Sequence, residues 1–161
     1  FRISAGNEMS RNTQYKGFIA EHKFIGECAK RGISVSKPLW DVKYDFIVED
    51  KGSLLNVQVK YIGRRKTGIK SYDKLKDTGV ICVNAYSMNN SSAKNRGTKV
   101  PYTKEDVDVI AAWSEETEKF LWIPIEALEG KLLKHFKITE PLVKQKKGKV
   151  TYAKDYYWQS T

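Results

Sequence analysis

"KYDFIVEDKGSLLNVQVKYIG", residues 43–63, contains two alternating apolar runs joined by Asp-Lys-Gly-Ser. The spacing predicts a hairpin with Lys51 and Gly52 as a two-residue turn, so that facing positions sum to 103. In that register Tyr44 faces Val59, Phe46 faces Val57 and Val48 faces Leu55, which makes one face apolar. The other face sets Asp45 opposite Gln58 and Lys43 opposite Lys60, with facing β-carbons about 4.5 to 5.5 Å apart. A slip of one residue would bury this polar set, so the apolar face defends the register. Asp45, Gln58 and Lys60 thus converge on one patch.

Upstream, residues 14–31 predict a helix. Tyr15, Phe18, Ile25, Cys28 and Ala29 fall on one stripe, and Lys16, Lys23, Glu27 and Lys30 fall opposite. Gly32 follows "AKR" as a helix end with a left-handed cap would. Glu21 lies between Ile25 and Cys28 on the wheel, inside the stripe expected to be buried. A carboxylate there is costly unless a cation or donors meet it. A divalent metal shared with Asp45 would meet it. The oxygens of Glu21, Asp45, Gln58 and the Val59 backbone carbonyl suit Mg²⁺ (or Mn²⁺) and not zinc.

These residues stand in the order Glu on a helix, Asp on a strand, then Gln-x-Lys on the next strand. The order resembles the PD-(D/E)XK nuclease superfamily, and "GFIAEHKFIGECAKRGISVSKP" with "YDFIVED" and "NVQVKYIG" is most similar to its group I intron-associated homing endonuclease branch. "EDVDVIAAWSEETEKFLWIPIEAL" is similar to that branch's later strands. Two departures stand out: Tyr44 where the superfamily has Pro, and Gln58 where it has Asp or Glu. The latter removes one negative charge from the metal site.

The resemblance implies an α/β fold with a central mixed β-sheet flanked by helices, and added β-hairpins for DNA contact. The length of 161 residues suits a single domain, read as one nuclease domain over 1–161 with a core at about 14–128 and a basic extension at about 129–161. The resemblance further implies hydrolysis of double-stranded DNA to 5′-phosphate and 3′-hydroxyl ends, with Glu21, Asp45, Gln58 and Lys60 catalytic. Glu21, Asp45 and the Val59 carbonyl would hold the metal. A Holliday junction resolvase of the same fold, or a DNA-binding protein that has lost catalysis, are the alternatives. One site cuts one strand, so a homodimer or homotetramer is expected, with "KDYYWQS" as an interface segment.

Composition agrees with a polyanionic partner. The chain of 161 residues carries 29 Lys and Arg against 19 Asp and Glu, for a net charge of +10. No apolar run reaches the roughly 18 residues of a membrane span, and the start lacks the apolar stretch of a secretory signal. An intracellular protein of the cytoplasm or nucleoid is expected, with no membrane and no small-molecule substrate. Cys28 and Cys82 lack zinc or CxxC spacing and read as buried thiols. The basic segments are interleaved with Tyr and Gly, and one leaves directly from Lys60. They nominate Arg64, Arg65, Lys66, Lys70, Lys94, Arg96, Lys99, Lys104, Lys146, Lys147 and Lys149 as DNA contacts.

Each residue also has a plainer reading. Asp45 could pair with Lys43, Glu21 with Lys60, and the basic runs could be solvated loops. His22 reads as a packed or DNA-near side chain and not a ligand, and His135 has no partner in view. Asp108 reads as a buried partner for Arg or Lys, and Trp113, Phe120 and Trp122 as core.

Further strands are expected at 33–36, 43–49, 54–62, 80–86, 107–113 and 120–124, with a helix at 125–133. "MNNSSAKNRGTK" reads as a polar loop and the tail after Val143 as an edge hairpin.

Overall fold

The computed structural model describes residues 5–63, 79–89, 97–138 and 150–159. Helix α1 (Ala5–Lys30) is followed by β1 (Ser34–Ser36), β2 (Phe46–Asp50) and β3 (Ser53–Ile62). Then come β4 (Val80–Asn84), β5 (Tyr86–Asn89), β6 (Thr98–Pro101), β7 (Val109–Ser114), β8 (Lys119–Pro124) and β9 (Leu133–Lys137). The main sheet has the order β1-β2-β3-β7-β8, and it is mixed because β3 and β7 run parallel while the other pairs are antiparallel. Two small antiparallel pairs, β4 with β9 and β5 with β6, complete the β-structure.

The β2–β3 hairpin has the expected register, from Phe46 against Val57 to Asp50 against Ser53. Lys51 and Gly52 both take positive φ, 50° and 80°, which a two-residue turn matched to the strand twist requires. The ladder does not continue to Tyr44. Asp45 N–H also bonds to the Val57 carbonyl at 2.9 Å, so Asp45 and Phe46 both face Val57, a two-against-one bulge. The bulge shifts the alternation, and Tyr44 packs in the cluster on the opposite side of the sheet from Phe46. The expected facing pairs Tyr44 with Val59 and Lys43 with Lys60 are therefore not formed.

α1 lies on the face made by Phe46, Val48, Val57, Val59, Val109 and Ala111, and it buries Ala20, Phe24 and Cys28 there. This stripe differs from the expected one. Tyr15 and Phe18 are 65% and 55% exposed, and Ile25 and Ala29 are exposed as well. The helix carries apolar residues on more than one side, and the side with Ala20, Phe24 and Cys28 is the one that meets the sheet and the C-terminal Trp158. Phe24 stacks between Phe46, Trp122 and Trp158, with Phe120 edge-on at 5.8 Å.

A second cluster fills the other face, with Ile62, Ile110, Ala112, Leu121 and Ile123 under Val83, Val107, Leu128, Phe136 and Ala153. Core packing therefore runs past residue 128 into the C-terminal segment. In place of the expected helix at 125–133 there is one 3-10 turn, Ile125–Leu128. Glu129 and Gly130, both at positive φ, end it, and β9 follows. The expected strand at 80–86 is divided at buried Ala85, whose N–H bonds to Leu132 and whose carbonyl accepts from Tyr102. The ends of the expected polar loop pair as β5 and β6. The described part of the tail forms single bridges, Lys137 with Tyr152 and Leu121 with Tyr157, around a 3-10 turn at Ala153–Tyr156. Trp158, half-buried, packs against the α1-side cluster and stacks on Trp122. α1 is the one α-helix among the described residues. Cys28 and Cys82 are free, buried and half-buried respectively. Burial pushes the Cys28 thiol up to about 11, which suits an inert packing group.

Candidate active site

The bulge positions Asp45. Because β2 ends at Phe46, Val59 N–H has no strand carbonyl to meet, and it donates instead to Asp45 Oδ2 at 2.8 Å. The carboxylate thus takes the place of the strand that has peeled away. Gln58 Nε2 donates to the same oxygen at 2.5 Å and to the Val59 carbonyl at 3.3 Å. Asp45 and Gln58 meet as the hairpin arithmetic anticipated, although through side chains and not as a ladder pair.

Glu21 approaches from α1. It is half-buried, and its Oε2 accepts from Lys37 Nζ at 2.7 Å. The pairing with Lys60 weighed from the sequence is replaced by one with Lys37, whose own proton this contact holds more tightly. Burial raises the Asp45 pKa; the Val59 N–H opposes this, the Glu21 charge adds to it, and Lys60 and Lys37 pull it back. Glu21, Asp45, Lys37 and Lys60 therefore form one electrostatic group. Burial lowers the Lys60 pKa, with Asp45 acting against the shift.

Could this site hold a divalent ion? Two carboxylates and a carbonyl at an open strand edge are all hard oxygen donors, which is the chemistry Mg²⁺ takes. Among the described residues no cluster of three or more His, Cys, Asp or Glu occurs. An ion here would rest on Glu21 and Asp45, with a neutral oxygen from Val59, so the residues fit one that keeps most of its water shell.

Three neighbours were not singled out in the sequence. Tyr102 Oη accepts from Lys60 Nζ at 3.1 Å, Lys37 pairs with Glu21, and Asp106 Oδ1 accepts from Lys43 Nζ at 2.7 Å. Tyr102 lies in a segment read for its basic residues and Asp106 at the start of one read for its strands, both far from the hairpin in sequence. Asp108 also differs from expectation. Its Oδ2 accepts from the Asn56 N–H at 2.8 Å, and its own N–H donates to the Asn56 carbonyl at 2.8 Å, so it fastens the start of β7 to β3 through hydrogen bonds to the Asn56 backbone. His22 is exposed, with its ring 3.8 Å from that of Phe18 and Nδ1 2.8 Å from the Phe18 carbonyl. His135 is exposed on β9.

Of the nominated DNA contacts, Lys99 is exposed on β6 with its ammonium 4.7 Å from the Tyr86 ring centre. Lys104 is exposed and paired with Glu126 at 2.6 Å. Arg64, Arg65, Lys66, Lys70, Lys94, Arg96, Lys146, Lys147 and Lys149 lie outside the described residues. No helix among the described residues is long and apolar enough to cross a membrane.

Comparison with known proteins agrees with this geometry. A family model for the PD-(D/E)XK endonuclease matches residues 11–159. Among solved structures, the bacterial homing endonuclease I-Ssp6803I superposes with a TM-score of 0.64 at 27% identity, over 90% of this chain and 88% of that one. The curated proteins give no match. With a helix Glu, a bulged Asp and a Gln-x-Lys strand on a mixed sheet, and a family match over nearly its whole length, the chain belongs to the PD-(D/E)XK endonuclease family.

Proposed function

We propose that this endonuclease is of the homing type, cutting a specific site in double-stranded DNA with Mg²⁺ or Mn²⁺ to leave 5′-phosphate and 3′-hydroxyl ends. The observation that carries the reading is the convergence of Glu21, Asp45, Gln58 and Lys60 around the Asp45 bulge. The likeness to a bacterial homing endonuclease along nearly both chains favours that type over others of the family.

Glu21, Asp45 and the Val59 carbonyl would hold the ion. When bound, the ion polarises the phosphoryl group and acidifies a water. Asp45, fixed by the Val59 N–H, presents a carboxylate that needs no reordering on binding. Gln58 orients that carboxylate while adding no charge. Lys60, half-buried, orients the attacking water and stabilises charge that develops on the phosphate in the transition state. Lys99 and the basic segments steer and hold DNA.

A homodimer or homotetramer would supply the second cut. The exposed Tyr15, Phe18 and Ile25 stripe of α1 supports self-association, and the C-terminal aromatics Tyr156, Tyr157 and Trp158, half-buried against the two clusters, offer less free surface.

The test incubates the protein and Mg²⁺ with a mixed linear duplex library and with a four-way junction. A cut at one unique duplex site is expected. Symmetric nicks confined to the junction would instead identify a junction resolvase, and absence of product from either substrate would leave a DNA-binding protein without catalysis.

A further inference from the structure

Lys60 ends in a flexible chain of methylenes, so an ammonium used in catalysis needs something to fix it. Asp45 supplies charge, and Tyr102 supplies geometry: its Oη accepts from Lys60 Nζ at 3.1 Å.

Tyr102 is itself held from both sides. Only 6% of its surface is exposed, and its N–H bonds to the Ala85 carbonyl at 3.1 Å. The turn that follows is closed by Asp106 and Val107 N–H bonds to the Thr103 carbonyl, both 3.1 Å, and by Thr103 N–H to Asp106 Oδ2. Asp106 Oδ1 then pairs at 2.7 Å with Lys43, two residues before Asp45. The turn carrying the phenol is thereby tied to the strand carrying the carboxylate. A phenylalanine would fill the same apolar space, so the hydroxyl is an added polar group inside a core cluster, placed where a lysine donates to it.

The charged and titratable groups around Lys60 are Asp45 and Tyr102 at first hand, with Asp106 and Lys43 behind Tyr102, and Glu21 and Lys37 acting through Asp45. Burial, Asp45 and Asp106 push the Tyr102 phenol up to about 12, so it stays a neutral acceptor at working pH.

We propose that Tyr102 is a positioning residue of this endonuclease, its phenolic oxygen fixing where the Lys60 ammonium sits. The proposal rests on the catalytic role given to Lys60 above.

The test is Tyr102→Phe, which keeps the ring, followed by single-turnover cleavage at saturating protein and Mg²⁺. The chemical step should slow by about 10 to 100-fold, the loss that misplacing a group by about 1 Å brings. The Kd for DNA, the Mg²⁺ half-saturation and the Tm should stay at parental values. Tyr102→Phe added to Lys60→Ala should slow that variant no further. Nitrogen NMR of the lysine ammonium groups should show the Lys60 signal losing order in Tyr102→Phe. Parental cleavage by Tyr102→Phe, or a further slowing in the Lys60→Ala background, would overturn the proposal. If the parent cuts no DNA the proposed function fails, and the Lys60 signal still decides whether Tyr102 holds the ammonium, an unchanged signal refuting it.

Discussion

The two faces of β3 follow opposite rules. On the α1 side Leu55, Val57 and Val59 meet Phe24, Phe46 and Phe120 in a cluster of apolar side chains. On the other side Gln58 and Lys60 stand beside Ile62, half-buried polar groups next to a closed core. The first face fixes the register by hydrophobic burial, and the second uses that register to place chemistry. Asp45 joins them: by leaving the ladder at the bulge, its carboxylate sits at the strand edge, within reach of Glu21 from one face and Gln58 from the other.

Substitutions that respect this division should separate activity from stability. Asp45→Ala or Lys60→Ala should reduce cleavage on the order of 10³-fold or more while DNA binding, measured by mobility shift, stays near parental. Cleavage at the parental rate by either variant would remove the polar face from the mechanism. Phe24→Ala on the opposite face should cost about 3 kcal/mol in denaturant unfolding, since the cavity lies among four aromatic rings.

Asp106→Asn tests the tie between the Tyr102 turn and the Asp45 strand. Burial works to raise the Asp106 pKa, but Lys43 and the Thr103 N–H outweigh it and hold the carboxyl below its ordinary value. A depressed carboxyl contributes stability that is present above its unfolded pKa and lost as pH falls through the folded one. The variant should therefore be less stable by at most about 1 kcal/mol at neutral pH, and the gap should close as the solution is acidified through the ordinary carboxylate range. A gap that persists in acid would assign the effect to something other than this charge. Smallest of all, Lys104→Ala should leave stability unchanged, because both it and its partner Glu126 are largely exposed. If Lys104 touches phosphate, the variant's DNA affinity should depend on salt with a slope shallower by about one.

The hairpin register, the turn and the meeting of Asp45 with Gln58 were legible because all lie within a short stretch governed by period-two alternation. The bulge was not, since Tyr44 alternates as smoothly as Phe46 and nothing local marks where pairing stops. The buried helix stripe was misread because Phe24 and Ile25 are adjacent and equally apolar in pattern, and only the sheet decides between them. β9 begins where the segment read as a helix ends, and its two lysines leave only Leu133 and Phe136 as an apolar signal, so the strand is made by pairing with β4. Tyr102 and Asp106 were invisible as site residues because what makes them so is a contact across more than forty positions of chain.

The parallel pairing of β3 with β7 also sets an order of events during synthesis. A hairpin such as β2–β3 closes in about 1 to 10 μs once its residues are free. Its partner β7 arrives only after Ser114 has been made, and at about 5 to 20 residues per second the wait from Ile62 is about 3 to 10 s. For that interval one edge of β3 has no neighbour, and a bare edge is a template for pairing with another chain. The carboxylate half of the site, drawn from Glu21, Asp45 and Gln58, can assemble in that time, while Lys60 waits for Tyr102. The nascent protein therefore passes first through a form prone to self-association, and gains its anchored lysine last.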